Sequence, residues 1–229
     1  MIAKTNQISL LNTELTNTTT SGDSYASERF LNLMKIMAKL FDDCVSEDIA
    51  LTAMYHDIGK YFTPSQLLNK AGPLTSLEYE VMKAHTITGN LLLDDETGLF
   101  DDQLANIVKK FNLPCEVLLN PVLRKKASVI AMYHHEKWDG TGYPHGLSCN
   151  EIPCDAQIVS IADVIDALFS HRSYKEPWPA KDVFDYLVRQ SGSQFSPYVV
   201  NQVKNNFSQI EALYSESNKT YEKTNVVNI

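Results

Sequence analysis

His134-His135-Glu136-Lys137-Trp138-Asp139-Gly140-Thr141-Gly142-Tyr143-Pro144 is the stretch on which the rest of the chain is organised. Two histidines run into a glutamate and then into a turn with two glycines and a proline. Histidine is the commonest metal ligand, and a pair at a helix end can point at one cavity. Gly140, Gly142 and Pro144 force a tight loop in which backbone approaches a ligand closely. Taken alone, the pair equally fits an ordinary helix end with one histidine exposed and one buried. Whether it faces the inside of a helical bundle depends on the segments around it.

Those segments read as helices. Pro121 suits the first turn of a helix that reaches the histidine pair. Thr75-Ser76-Leu77-Glu78 is a capping box that opens a helix to about Leu93, with His85 in its middle. Phe30, Leu31, Met34, Met37, Ala38 and Phe41 recur at three-to-four spacing and form one buried stripe of a helix from Ser24. Ser46-Glu47-Asp48 starts a strongly apolar helix over residues 49–58 that carries His56-Asp57 and stops at Gly59. A helical turn is expected at 64–68 and an amphipathic helix near 101–111. Further helices are expected over 155–170, with Asp163 and Asp166 on one face, and over 179–190. A last one runs from Ser196-Pro197, an N-cap and a first-turn proline, to about Tyr214. No segment alternates convincingly with period two. The class is all-α, one helical-bundle domain over residues 24–215, with a mobile polar arm at 1–23 and a polar tail at 216–229.

Composition narrows the function. A chain of 229 residues that is 44% hydrophobic can bury one sizeable core. No apolar run approaches the ~18–20 residues of a membrane span, and residues 1–22 hold no signal-peptide core. A cytoplasmic location follows. Cys44, Cys115, Cys149 and Cys154 show no CxxC spacing and read as plain thiols of a reducing compartment. The net charge of −8 argues against a nucleic-acid or anionic-membrane partner, and leaves room for a small phosphate-bearing ligand.

His56, Asp57, His85, His134, His135 and Asp163 sit on four otherwise apolar segments. Each alone could be a satisfied core polar group. Together they point to metal, because buried histidines and carboxylates need partners and bundles build metal sites from facing helices. Imidazoles and carboxylates without thiolate suit iron, manganese or a catalytic zinc. Six side chains exceed one four-coordinate ion and fit a two-metal site, with Asp57 the better bridge, of the kind that runs in-line displacement at phosphorus. Lys60, Arg172 and Lys175 are candidate phosphate-facing cations, although surface lysines and arginines are commonly just solvated.

In order along the chain, His56-Asp57-Ile58-Gly59-Lys60, His85, residues 134–144, Asp163-Val164-Ile165-Asp166-Ala167 and Arg172-Ser173-Tyr174-Lys175 resemble the HD-GYP domain, a branch of the HD phosphohydrolase superfamily. The resemblance spans residues 24–207, and Gly142-Tyr143-Pro144 is the feature of that branch. It implies an HD-type helical bundle with the metal site in its core. It also implies a phosphodiesterase that hydrolyses cyclic di-GMP, or the mixed cyclic GMP-AMP dinucleotide, by in-line attack of a metal-bridging hydroxide. The same resemblance implies a di-iron or di-manganese centre held by His56, Asp57, His85, His134, His135 and Asp163, with Asp57 bridging. Lys60 then assists catalysis, Lys60, Arg172 and Lys175 contact phosphate, and Gly142, Tyr143 and Pro144 flank the substrate. A regulatory protein or a diguanylate cyclase is the expected protein partner.

The chain departs from the family pattern in three places. It has no histidine before His56, where the family carries one on the first helix followed by an arginine; Arg29 matches that arginine, and water or Glu28 could fill the gap. The span between His85 and His134 is longer than in the family, and the extra piece within about 94–121 reads as a tolerated surface insertion, with a lid or a partner surface as alternatives. Phe195-Ser196-Pro197 stands where the family often has aspartate in the middle, a change of little consequence because serine caps as well. The missing histidine supports the alternative function, a catalytically weakened module that binds a cyclic dinucleotide or a partner without turnover.

Overall fold

The apolar stripe of residues 30–41 winds into α1 (Asp23–Leu40) and buries Leu33, Met34 and Met37 completely. In the computed structural model residues 23–170 and 176–226 are described, with side chains over 28–170 and 176–216. After α1 come α2 (Ile49–Thr52), two 3-10 turns (Ala53–Tyr55 and Ile58–Phe62), α3 (Ser65–Leu68) and α4 (Ser76–Leu93). Next are α5 (Asp101–Phe111), α6 (Glu116–Leu119) and α7 (Pro121–Tyr133). A 3-10 turn (Cys149–Glu151) leads to α8 (Cys154–Phe169), α9 (Ala180–Arg189), α10 (Pro197–Asn205) and α11 (Phe207–Val226). The described residues contain no strand, only two isolated bridges. The all-α expectation therefore holds. Among the described residues no helix is long and apolar enough to cross a membrane.

Local signals place the helices that matter for the site. Thr75 accepts the Glu78 N–H, and the Glu78 carboxylate accepts the Thr75 N–H at 2.7 Å, so α4 starts where the capping box says. Asn120 caps α7 by accepting the Val122 N–H at 2.9 Å, with Pro121 in the first turn. Apolar faces then assemble into two cores. One joins α1, α2 and α8 to the C-terminal helices through residues such as Phe41, Ile161, Leu187 and Val203. The other joins the end of α4 to α5, α6 and α7 through Leu93, Leu104, Ile107, Val117 and Ala127. Residues 49–58 belong to both, with Ile49 and Ala53 in the first core and Tyr55 and Ile58 in the second. His56 and Asp57 thus lie at the seam.

Four expectations need correction. The helix over 49–58 is not continuous: from Ala53 the backbone tightens, and the His56 N–H and ring Nδ1 both engage the Ala53 carbonyl. The helix from Pro197 breaks at Asn206, whose side-chain amide donates to the Gln202 carbonyl and displaces the backbone bond that would continue it. It resumes as α11 and runs past Tyr214 to Val226, and Ser196 makes no side-chain cap. Cys44 and Cys154 are not plain thiols but form a disulfide between the end of α1 and the start of α8, 110 residues apart in sequence. The piece at 94–121 is not a surface appendage: α5 buries Leu104, Ile107 and Val108 in a core of its own.

Candidate metal centre

Gly59 fixes the local geometry. The 3-10 turn that follows Asp57 lies so close to α4 that a Cβ on Gly59 would overlap the His85 carbonyl. That approach brings Asp57 to His85. The end of α7 supplies His134 and His135, and α8 supplies Asp163. Ligand atoms of Asp57, His85, His134 and His135 all lie within 4.8 Å of one another. Asp57 is the hub. Its Oδ1 is 3.3 Å from His85 Nε2 and 3.6 Å from His134 Nε2. Its Oδ2 is 3.4 Å from His56 Nε2 and 2.5 Å from Lys60 Nζ. His56 Nε2 is also 3.8 Å from Asp163 Oδ1. All six sequence-derived ligand candidates converge, in a tight group of four with His56 and Asp163 beside it.

The imidazoles are oriented by backbone. Nδ1 of His56 meets the Ala53 carbonyl at 2.8 Å, Nδ1 of His85 the Met82 carbonyl at 2.6 Å, and Nδ1 of His134 the Ile130 and Ala131 carbonyls at 3.1 Å each. A carbonyl only accepts, so each Nδ1 carries a hydrogen, and Nε2 of His85 and of His134 turns a lone pair toward Asp57. A carboxylate also only accepts. Asp57 Oδ1, His85 Nε2 and His134 Nε2 are all buried without a hydrogen-bond partner. Such an arrangement is costly unless a cation lies between the groups.

Protonation does not relieve all of it. Burial pulls His134 down from its ordinary value, and burial with the neighbouring His134 does the same to His135. Burial also opposes the charged form of His56, but Asp57 and Asp163 overcome it and push that imidazole up to about 9. Burial would raise Asp57, yet His56 and Lys60 hold it well below the usual carboxylate range. The group of Asp57, His85, His134 and His135 offers carboxylate oxygen and imidazole nitrogen without thiolate, and it fits a hard or borderline divalent ion, while the carboxylates of Asp57 and Asp163 favour the charged form of His56 beside it.

The loop after the histidines folds back over them. The Glu136 carboxylate, itself buried, accepts the His145 N–H at 2.7 Å and the Leu147 N–H at 3.0 Å. Gly142 lies against the Glu136–Lys137 backbone, where a Cβ would overlap the Lys137 nitrogen. The Tyr143 N–H donates to the His135 carbonyl at 3.2 Å, and the Tyr143 ring stacks on His135 with centroids 4.8 Å apart. Tyr143-Pro144 is a cis peptide. Tyr143 thus borders the centre, with Gly142 and Pro144 on either side of it in the chain. Arg172 and Lys175 lie outside the described residues.

A domain model described as HD domain matches residues 8–199. The chain belongs to the HD domain family. Curated members similar to it include a cyclic di-GMP phosphodiesterase of Thermotoga maritima, 39% identical over 153 residues, which are 67% of this chain and 35% of that protein. The cyclic di-GMP phosphodiesterase response regulator RpfG of Xanthomonas campestris pv. campestris is 36% identical over 72% of this chain and 38% of its own length. A 3'3'-cGAMP-specific phosphodiesterase 2 of Vibrio cholerae is 34% identical over 69% of this chain and 26% of its own length. The chain thus spans about a third of the length of the curated relatives it matches. The HD domain assignment agrees with the HD-GYP resemblance and with divalent-metal binding at Asp57 and its histidines.

Sequence reasoning missed three features of this site. Glu136 stands inside the opening motif but gave no sign of the two amides it holds. Arg29 pairs not with a ligand but with Asp166 at 2.9 Å, and Tyr214 donates to the same carboxylate at 2.8 Å, tying α1, α8 and α11 together under the cleft. Phe30, one residue on, places its ring 5.1 Å from that of His56.

Proposed function

We propose that this chain is a metal-dependent phosphodiesterase that hydrolyses cyclic dinucleotides, cyclic di-GMP first and the mixed cyclic GMP-AMP second. The observation that carries the reading is the convergence of unpartnered buried Nε2 and Oδ1 atoms on Asp57. The activities by which the relatives are named supply the substrate class. Asp57, His85, His134 and His135 would hold one ion, with Asp57, His56 and Asp163 toward a second. Iron and manganese suit the donors. Bound divalent ions supply Lewis acidity at phosphoryl oxygens and lower the pKa of water. The chain's own residues do the rest. The Lys60 ammonium beside Asp57 offsets charge that develops on the phosphate, and Arg172 and Lys175 add phosphate contacts. The Gly142-Tyr143-Pro144 loop borders the substrate and limits water access from its side.

A second reading is a weakened module that binds the dinucleotide without turnover. It is favoured by the absence of any histidine before His56 and by the Phe30 ring packed beside that imidazole. Elemental analysis of protein prepared without oxygen, followed by a product assay, separates the two. The enzyme reading expects close to two ions per chain and linearised cyclic di-GMP. Asp57→Ala and His135→Ala should each lower turnover roughly hundredfold or more, as loss of metal-site residues does. Turnover unchanged by both substitutions would sink the metal assignment. One ion per chain with tight binding and no product would establish the module.

A further inference from the structure

We infer that the inserted helix α5 builds a nucleobase platform in the reaction cleft, with Tyr61 and Phe111 as the stacking rings. The inference rests on the cyclic-dinucleotide reading above and says what residues 94–121 contribute to it. Tyr61, Phe111 and Leu113 line the same cleft, about 430 Å³, as Asp57, Lys60 and Asp163. Tyr61 and Phe111 are 42% and 41% exposed, so their rings are presented to a ligand rather than absorbed in the core. They stand perpendicular, with centroids 6.4 Å apart, and Lys110 Nζ lies 5.3 Å from each ring centre.

The platform is held firmly. Leu104, Ile107 and Val108 anchor α5 in the second core, and Asn112 ends the helix in the left-handed conformation just past Phe111. The fully buried Tyr55 donates its hydroxyl to the Pro114 carbonyl at 2.8 Å, which ties the segment after Phe111 to the residue before His56. The spacing suits a nucleotide. Lys60, the phosphate-facing cation, is the chain neighbour of Tyr61, so a phosphate at the centre leaves its base one sugar away, beside the two rings. Any purine has a π-face, and an aromatic ring with a nearby cation binds such a face without reading its edge.

The test uses the full chain loaded with manganese and cyclic di-GMP as the probe. Tyr61→Ala and Phe111→Ala should each raise KM roughly tenfold, the loss expected for one stacked base, with the effect on KM exceeding that on kcat. Calorimetric binding of cyclic di-GMP should weaken in parallel. Tyr61→Phe, which keeps the ring, should restore the wild-type KM. Wild-type chain that turns over cyclic di-GMP while both alanine variants keep its KM overturns the platform alone, and would mark the wall as a docking surface for another protein. Wild-type chain that neither binds nor cleaves any cyclic dinucleotide overturns the substrate reading and the platform with it.

Discussion

Glu136 organises the loop that covers the histidine pair. Its carboxylate is buried and accepts two backbone amides, from His145 and Leu147. Carboxylate acceptors of buried N–H groups are worth more than neutral ones. Glu136→Gln keeps the shape but sets an NH2 group against at least one of those amides. The expected cost is about 2 kcal/mol, a fall in melting temperature of roughly 4–8 °C for a chain of this size. Metal content should survive, because Glu136 lies outside the group formed by Asp57, His85, His134 and His135. A melting temperature equal to wild type would show that the loop does not depend on this carboxylate. At the ligand positions the opposite holds: His134 Nε2 and Asp57 Oδ1 have no partner to lose within the protein, so their substitution should show first in bound metal and only then in stability.

Helix α4 and the 3-10 turn of residues 58–62 meet at Gly59, and that contact sets the distance between Asp57 and His85. Gly59→Ala must push the two elements apart, because the added methyl meets backbone on the His85 side rather than a side chain that can move away. Overpacking of this kind costs about 1–3 kcal/mol. The same shift widens the metal group, so the variant should lose bound metal as well as stability; retention of full metal content at wild-type melting temperature would refute the contact. How far the elements were legible follows from the same distinction between local and distant causes. The start of α4 is written in four consecutive residues, and α7 in Asn120-Pro121, so both were readable. The candidate ligands could be picked out because histidines and aspartates stand out on apolar segments. Gly59 reads only as a helix stop until α4 is laid against it. The role of α5 was hidden for the same reason: its buried face is amphipathic whatever it packs on, and only the fold shows that Phe111 ends in the cleft.

Across the whole molecule two cores share residues 49–58 and α7, and the metal centre sits at their junction. Anything that holds the first core together therefore bears on the site. The Cys44–Cys154 disulfide does so by joining α1 to α8, the helices that carry Arg29 and its partner Asp166. Spacing could not disclose it, since the two cysteines are 110 residues apart and are brought together only by packing. Labelling of unfolded, non-reduced protein with a thiol reagent should modify Cys115 and Cys149 alone, the two free thiols. Cross-linking a loop of this length removes denatured-state entropy worth roughly 5 kcal/mol. Reduction, or Cys44→Ser, should then lower the melting temperature by roughly 10–20 °C at 2–4 °C per kcal/mol. Because the cores interlock at residues 49–58, unfolding should remain one transition rather than splitting into two. Modification of all four cysteines before reduction would show that the cross-link does not form. A biphasic melt after reduction would mean that the cores, and with them the two sides of the metal centre, fold independently.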